Sequence, residues 1–181
     1  MKGAWQRIVK KLVVDSPWMK VYENSYRLPN GINLSHYYIW ETGDSALCFC
    51  RVKDQAVLVR QYRPGIEKVT LCHPGGRLES SDISPSSGAL REVLEETGFV
   101  SKSIKKIGSF GQVPALSPNR LHLFLVDCKK KQAALPLRHD HAEDIAIELV
   151  PLHKLEEVIG SGVMDCIACV ALTYRVLRQI K

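Results

Sequence analysis

The apolar and polar positions of the chain change period along its length. Over the first sixty residues, apolar residues occur in short runs or alternate with polar ones, which predicts strands at 9–14, 20–27, 33–40, 47–52 and 56–62. Asp15-Ser16-Pro17, Pro29-Asn30-Gly31, Thr42-Gly43-Asp44 and Lys53-Asp54 separate them. In Pro29-Asn30-Gly31 the proline presets φ, and Asn-Gly accepts positive φ, so the chain turns there. A sixth run, 69–72, breaks at His73-Pro74-Gly75-Gly76. The period then lengthens. Ser84 can cap a helix over 85–97, Pro85 suits its first turn, and Gly98 stands just past its end. Further strands are predicted at 100–110, 121–128 and 145–150, then a short helix over 152–158 and a last one over 163–180. In the last helix Val163, Ile167, Val170, Ala171, Tyr174 and Leu177 form one apolar stripe that docks on a core. Many strands and few helices, without strict βαβ alternation, give an α+β or mixed α/β sandwich.

Composition narrows the class. A chain of 181 residues, 45% hydrophobic and 24% charged, suits one globular domain with a small appendage. The expected division is an amino-terminal β region, 1–44, and a main domain, 45–181. The net charge of +6 fits anionic partners such as phosphorylated small molecules. The longest basic run is Lys129-Lys130-Lys131, and no RNA-binding aromatic motif accompanies it, so nucleic acid is not the expected partner. No stretch reads as a signal peptide or a membrane span, which gives a cytoplasmic expectation. Cysteines stand at 48, 50, 72, 128, 166 and 169. Cys48-Phe49-Cys50 and Cys166-Ile167-Ala168-Cys169 can together supply four zinc ligands. With no histidine or second CxxC at finger-like spacing, small buried thiols in a reducing compartment are the preferred reading.

The helix 85–97 carries the chemistry. Glu92, Glu95 and Glu96 are related as i, i+3 and i+4 and share one face. Leu90, Val93, Leu94 and Thr97 fall opposite, so the carboxylates are expected to point away from the core. Arg91 can reach Glu95 one turn on. A solvated acidic face is one reading. The other is an all-oxygen site for a hard divalent cation such as Mg2+, beside a Gly-Gly turn that lets backbone approach a ligand.

The pattern G-x5-E-x7-R-E-U-x-E-E-x-G-U, with U a large aliphatic, resembles the signature of Nudix hydrolases. This chain supplies Gly76, Arg91, Glu92, Val93, Glu95, Glu96, Gly98 and, loosely, Phe99. The resemblance implies an α/β/α sandwich of mixed sheet and helices with a small amino-terminal sheet. It also implies that Glu92, Glu95 and Glu96 bind Mg2+ (or Mn2+), oriented by Arg91, for cleavage of a nucleoside diphosphate linked to another group. Asp82 stands where the first glutamate of the pattern falls, and the interval to Arg91 is one residue longer. A supporting Asp82 is expected to weaken or retune catalysis without abolishing it.

Leu58-Val59-Arg60-Gln61-Tyr62-Arg63-Pro64-Gly65, Pro114, Ser117–Phe124 and Ala142-Glu143-Asp144-Ile145 resemble segments of the ADP-ribose pyrophosphatase branch. That likeness implies substrate contacts from Arg60, Arg63, Gly76 and Pro114, and a metal ligand in the Gly75 carbonyl. Glu143 is the expected general base, with Glu92, Asp140 and Asp144 as rivals, while His139 and His141 tune the loop electrostatically. Cys72 stands where the branch often carries a glutamate, so the substrate stays open among ADP-ribose, another nucleotide sugar and a dinucleotide. The branch also implies a homodimer through the amino-terminal strands, where Trp5, Trp18 and Tyr22 are interface or core residues. The leading expectation is Mg2+-dependent hydrolysis giving AMP and a sugar phosphate. A catalytically weak nucleotide-binding module and an enzyme of nucleic-acid ends are the alternatives.

Overall fold

The structure, a computed structural model, describes residues 3–129 and 145–180. The chain forms two compact units. Met1–Asp44 and Phe110–Arg120 make one, and Ser45–Ser109 and Leu121–Lys181 make the other.

The first unit is a three-stranded antiparallel meander of β1 (Gln6–Asp15), β2 (Lys20–Arg27) and β3 (Asn33–Glu41). At the β2–β3 turn Gly31 adopts φ +86°, as the Asn-Gly pair requires, and its N–H donates to Leu28 O at 2.9 Å. Trp5, Tyr26 and Tyr37 meet edge to face with ring centroids 5.6 to 5.8 Å apart. The segment 110–120 is tied to β3 and its end. Trp40 N–H donates to Leu116 O at 3.0 Å, the Tyr37 hydroxyl to Ala115 O at 2.7 Å, and Thr42 N–H to Asn119 Oδ1 at 2.8 Å. Every residue of the edge strand β1 is exposed, its apolar Ile8, Val9, Leu12, Val13 and Val14 included.

The second unit is built on a six-stranded mixed sheet of β4 (Ser45–Val52), β5 (Gln55–Arg63), β6 (Lys68–Cys72), β7 (Val100–Gly111), β8 (Arg120–Lys129) and β9 (Ile145–Pro151). The order is β6-β5-β4-β8-β7, with β9 also paired to β5. The central strands β4 and β8 run parallel, from Ser45 opposite Leu121 to Arg51 opposite Asp127. Their side chains alternate between two apolar layers, as the two-residue period of a strand dictates. Ala46, Cys48, Cys50, Phe124, Val126 and Cys128 face α1 (Pro85–Thr97), through its Ala89 and Val93. Phe49, Leu121, Leu123 and Leu125 face α2 (Leu155–Gly160) and α3 (Ile167–Ile180), through Leu155, Cys169, Leu172 and Val176. Because both faces are covered, strands that read as continuous apolar runs are stable here. Each fully buried large apolar side chain contributes about 1.5–3 kcal/mol. The result is an α/β/α sandwich.

Two helix boundaries differ from the sequence expectation. The segment 152–158 divides into a 3-10 turn, Leu152–Lys154, and α2, which runs on to Gly160. The last helix begins at Ile167 instead of 163. Gly162 sits at φ +75°, and the Val163 carbonyl accepts from Leu71 N–H of β6 at 2.9 Å, a bond that draws this stretch out of the helix.

Candidate active site

Helix α1 starts and stops where its end residues dictate. Ser84 is extended, its Oγ accepts from Ser87 N–H at 3.1 Å, and Ser87 Oγ accepts from Ser84 N–H at 2.9 Å. This reciprocal cap satisfies two backbone donors, and such a capping side chain is worth about 1 kcal/mol. Gly98 takes φ +66° and returns its N–H to Leu94 O at 2.8 Å.

The orientation of the helix corrects the expected face. Ala89, Val93, Glu96 and Thr97 are its buried side, and Leu94 is exposed. Glu96 therefore does not point away with the other two glutamates and is only 6% exposed. A buried carboxylate needs hydrogen-bond donors, and the backbone N–H of Gly75 supplies one to Glu96 Oε2 at 2.8 Å.

The Gly75-Gly76 turn is fixed from two sides. Cys48 N–H of β4 donates to Pro74 O at 2.8 Å, and Ala46 N–H to Gly76 O at 2.9 Å, so the turn lies against the strand like an extra edge. Gly75 adopts φ +151°, and a Cβ there would stand 2.2 Å from Ala46 O. A Cβ on Gly76 would stand 2.7 Å from the Glu92 carboxyl. Gly75 needs glycine because the backbone of β4 occupies the space of a side chain, whereas at Gly76 that space is taken by the Glu92 carboxylate.

Arg91 gathers the remaining acids. Its Nη1 lies 3.0 Å from Glu92 Oε1 and 2.8 Å from Glu95 Oε2, the latter the expected i+4 contact. Its Nε and Nη2 donate to the two Asp82 oxygens at 3.2 and 3.1 Å, a fork-to-fork pairing. Nη2 also donates to Arg77 O at 3.2 Å, and Nη1 stands 3.7 Å from Glu79 Oε1. The lengthened loop thus still delivers Asp82 to the arginine, held in turn by Glu79 N–H at 2.8 Å. The paired Arg91 guanidinium holds the Asp82 carboxyl below the usual range, and Asp82 first among the acids stabilises the charged arginine.

Three features of the site were not visible beforehand. Gly88, inside α1, leaves room for Asp82, whose Oδ2 would stand 2.6 Å from a Cβ there. A glycine within a helix is costly, and that cost is the signal that could have singled it out. Glu79 is the second. The third is His73, which is buried against Phe49 with its Nε2 2.8 Å from Thr173 Oγ1 of α3. Burial pushes the His73 pKa down to about 3 and keeps the ring neutral.

The other expected residues are spread more widely. Arg60, on β5, is held by Glu148 of β9, with Nη2 2.6 Å and Nε 3.0 Å from one oxygen. Arg63 closes β5 beside Cys72. Pro114 belongs to the first unit. Glu143, with Asp140, Asp144, His139 and His141, lies outside the described residues. Cys48 and Cys50 are buried in β4, and the six thiols are free. Among the described residues no three carboxylate, thiol or imidazole groups converge on one metal-binding point. The acids around Arg91 are nonetheless oxygen donors alone, and Glu92 and Glu95 bracket the same guanidinium nitrogen. That donor chemistry fits a hard divalent cation.

The chain matches the family model of the NUDIX domain over residues 41–164. It is 26% identical over 175 residues to an ADP-ribose pyrophosphatase of Bacillus subtilis (strain 168), covering 95% of this chain and 92% of that protein. It is 28% identical over 162 residues to a methanol dehydrogenase activator of Bacillus methanolicus, covering 89% and 86%. A crystal structure of an ADP compounds hydrolase shares the fold, with a TM-score of 0.85 at 17% identity over 98% of this chain and 95% of that one.

Proposed function

The chain belongs to the Nudix family, as one of its pyrophosphohydrolases, and from that premise we propose that it hydrolyses the diphosphate linkage of ADP-ribose or a related nucleotide sugar with Mg2+. The products are a nucleoside monophosphate, AMP for an ADP derivative, and a sugar phosphate. The observation that carries this reading is the placement of Glu92 and Glu95 around Arg91, with Glu96 fixed to the Gly75 N–H. Glu92, Glu95 and Glu96 hold the metal, together with the Gly75 carbonyl. When bound, the cation neutralises phosphate charge and lowers the pKa of a coordinated water. Asp82 orients Arg91, which keeps Glu92 and Glu95 on one side of α1. The Gly75-Gly76 turn lets a diphosphate approach the backbone closely. Arg63 pairs with phosphate oxygens, Arg60 contacts the substrate, and Glu143 takes the proton of the attacking water, with Glu92 the other candidate for that role.

The protein acts in the cytoplasm as a homodimer in this reading. The support is β1, an edge strand paired on one side only among the described residues, which exposes apolar side chains on both faces, next to Trp18, which is 75% exposed. A long apolar edge calls for a partner.

Release of AMP from a panel of nucleoside diphosphate sugars, with and without Mg2+, tests the activity. Glu96→Gln should lose nearly all turnover while keeping its melting temperature, and wild-type turnover in that variant would remove the metal assignment. Glu143→Gln with unchanged kcat would remove that residue as base.

A further inference from the structure

The site described above leaves the thiols at the start of α3 unused. Cys166 stands one residue ahead of the helix, and its carbonyl accepts from Val170 N–H at 3.0 Å, which makes it the capping residue. Cys169 lies one turn further on and is 1% exposed, whereas Cys166 is partly open to solvent. Between them Ile167 is 84% exposed, so the start of the helix lies at the surface.

Spacing and depth suit a redox pair. Residues three apart on a helix have Cβ atoms roughly 5–6 Å apart, a little more than the ~3.5–4.5 Å of a disulfide. A capping residue lies at the edge of the regular helix, where its side chain can rotate to close that gap while its carbonyl keeps the bond to Val170 N–H. Cys169 and Cys72 share one buried cluster, and Cys166 packs against it. Contact with Cys169 draws the Cys166 thiol down to about 6 and the Cys72 thiol to about 5, while the same contacts and burial push Cys169 up. Of the two depressed thiols only Cys166 is partly open to solvent, since Cys72 is 2% exposed, and Cys169 between them is buried. That asymmetry separates an attacking thiol from a resolving one.

We propose that Cys166 and Cys169 are a redox-active dithiol that reduces low-molecular-weight disulfides. In the first step the Cys166 thiolate attacks one sulfur of the oxidant. A Cys166–S–S–R bond forms, the R–S–S–R bond breaks, and one RS− departs. In the second step Cys169 gives up its proton, its sulfur attacks Cys166 Sγ, and the second RS− leaves. Two protein thiols are oxidised to one disulfide, and one small disulfide is reduced to two thiols.

The test uses the full chain with glutathione disulfide near pH 7, followed by blocking of free thiols and peptide mapping. The expected product is a single fragment holding Cys166 and Cys169 with two hydrogens lost. Cys169→Ser should accumulate glutathione on Cys166, because no resolving thiol remains. Cys166→Ser should take up none at 169, and a thermal melt verifies that this variant is folded. A first adduct on Cys72 or Cys128, a Cys72–Cys169 disulfide in the wild-type chain, or a Cys166 that reacts no faster than in urea would each overturn the proposal.

Discussion

The two sheets solve the burial of apolar side chains in different ways. The six-stranded sheet hides both faces of β4, β5 and β8 under helices from the same chain. The three-stranded sheet holds an aromatic cluster of Trp5, Tyr26 and Tyr37, yet all ten residues of β1 are exposed. Strand sequences rich in valine and isoleucine occur in both. What differs is whether the same chain supplies a cover. Apolar strand composition therefore predicts a strand, and says nothing about where its partner comes from.

Paired truncations give the largest expected effect. Leu58→Ala, at a position with no exposure, should cost about 2–5 kcal/mol in urea unfolding. Leu12→Ala in β1 should change the stability of dilute protein by less than about 0.5 kcal/mol. Equal costs would break the contrast between the sheets.

Gly75→Ala comes next. Its Cβ would meet the Ala46 carbonyl at 2.2 Å, and the strain should lower stability by about 1–3 kcal/mol and abolish turnover. Gly65→Ala, where no atom stands within 4 Å, should do neither, and calorimetry with an AMP assay compares them. Ser84→Ala should cost about 1 kcal/mol through the lost cap of α1. Under the proposed dimer, Leu12→Lys should leave unfolding of dilute protein nearly unchanged while moving sedimentation from dimer to monomer. A variant that stays dimeric would place the subunit contact elsewhere.

The smallest effect concerns acid. Arg51 Nε donates to Asp127 Oδ1 at 2.5 Å across the parallel pair and holds that carboxyl below its ordinary range. A depressed folded pKa contributes stability that is present above the unfolded value, about 3.9, and is lost as pH falls through the folded one. The melting temperature should therefore decline as pH drops below about 4, and Asp127→Asn should flatten part of that decline.

Local chemistry made much of the fold legible. Pro29-Asn30-Gly31 marks a turn and Ser84 to Gly98 brackets a helix because each signal acts within a few residues of its cause. The start of α3 was misplaced because its determinant is the distant Leu71 N–H. The carboxylate stripe is legible as a spacing, yet helical angle alone, with Leu90, Val93, Leu94 and Thr97 as the packing face, puts Glu96 on the solvent side. It turns inward because a glycine N–H from another segment compensates its charge. Gly88 was passed over for a similar reason, since its neighbour Asp82 belongs to a loop whose path no periodicity encodes.

The parallel pairing of β4 with β8 also sets a timetable for the newborn chain. Arg51 and Asp127 are 76 positions apart, so translation at about 5–20 residues per second separates their emergence by roughly 4–15 s. For that interval β4 can pair with β5 on one side only, and its other edge faces the cell unpaired. The centre of the finished sandwich thus stays open until more than two thirds of the chain has left the ribosome, and a chaperone has that interval in which to hold it.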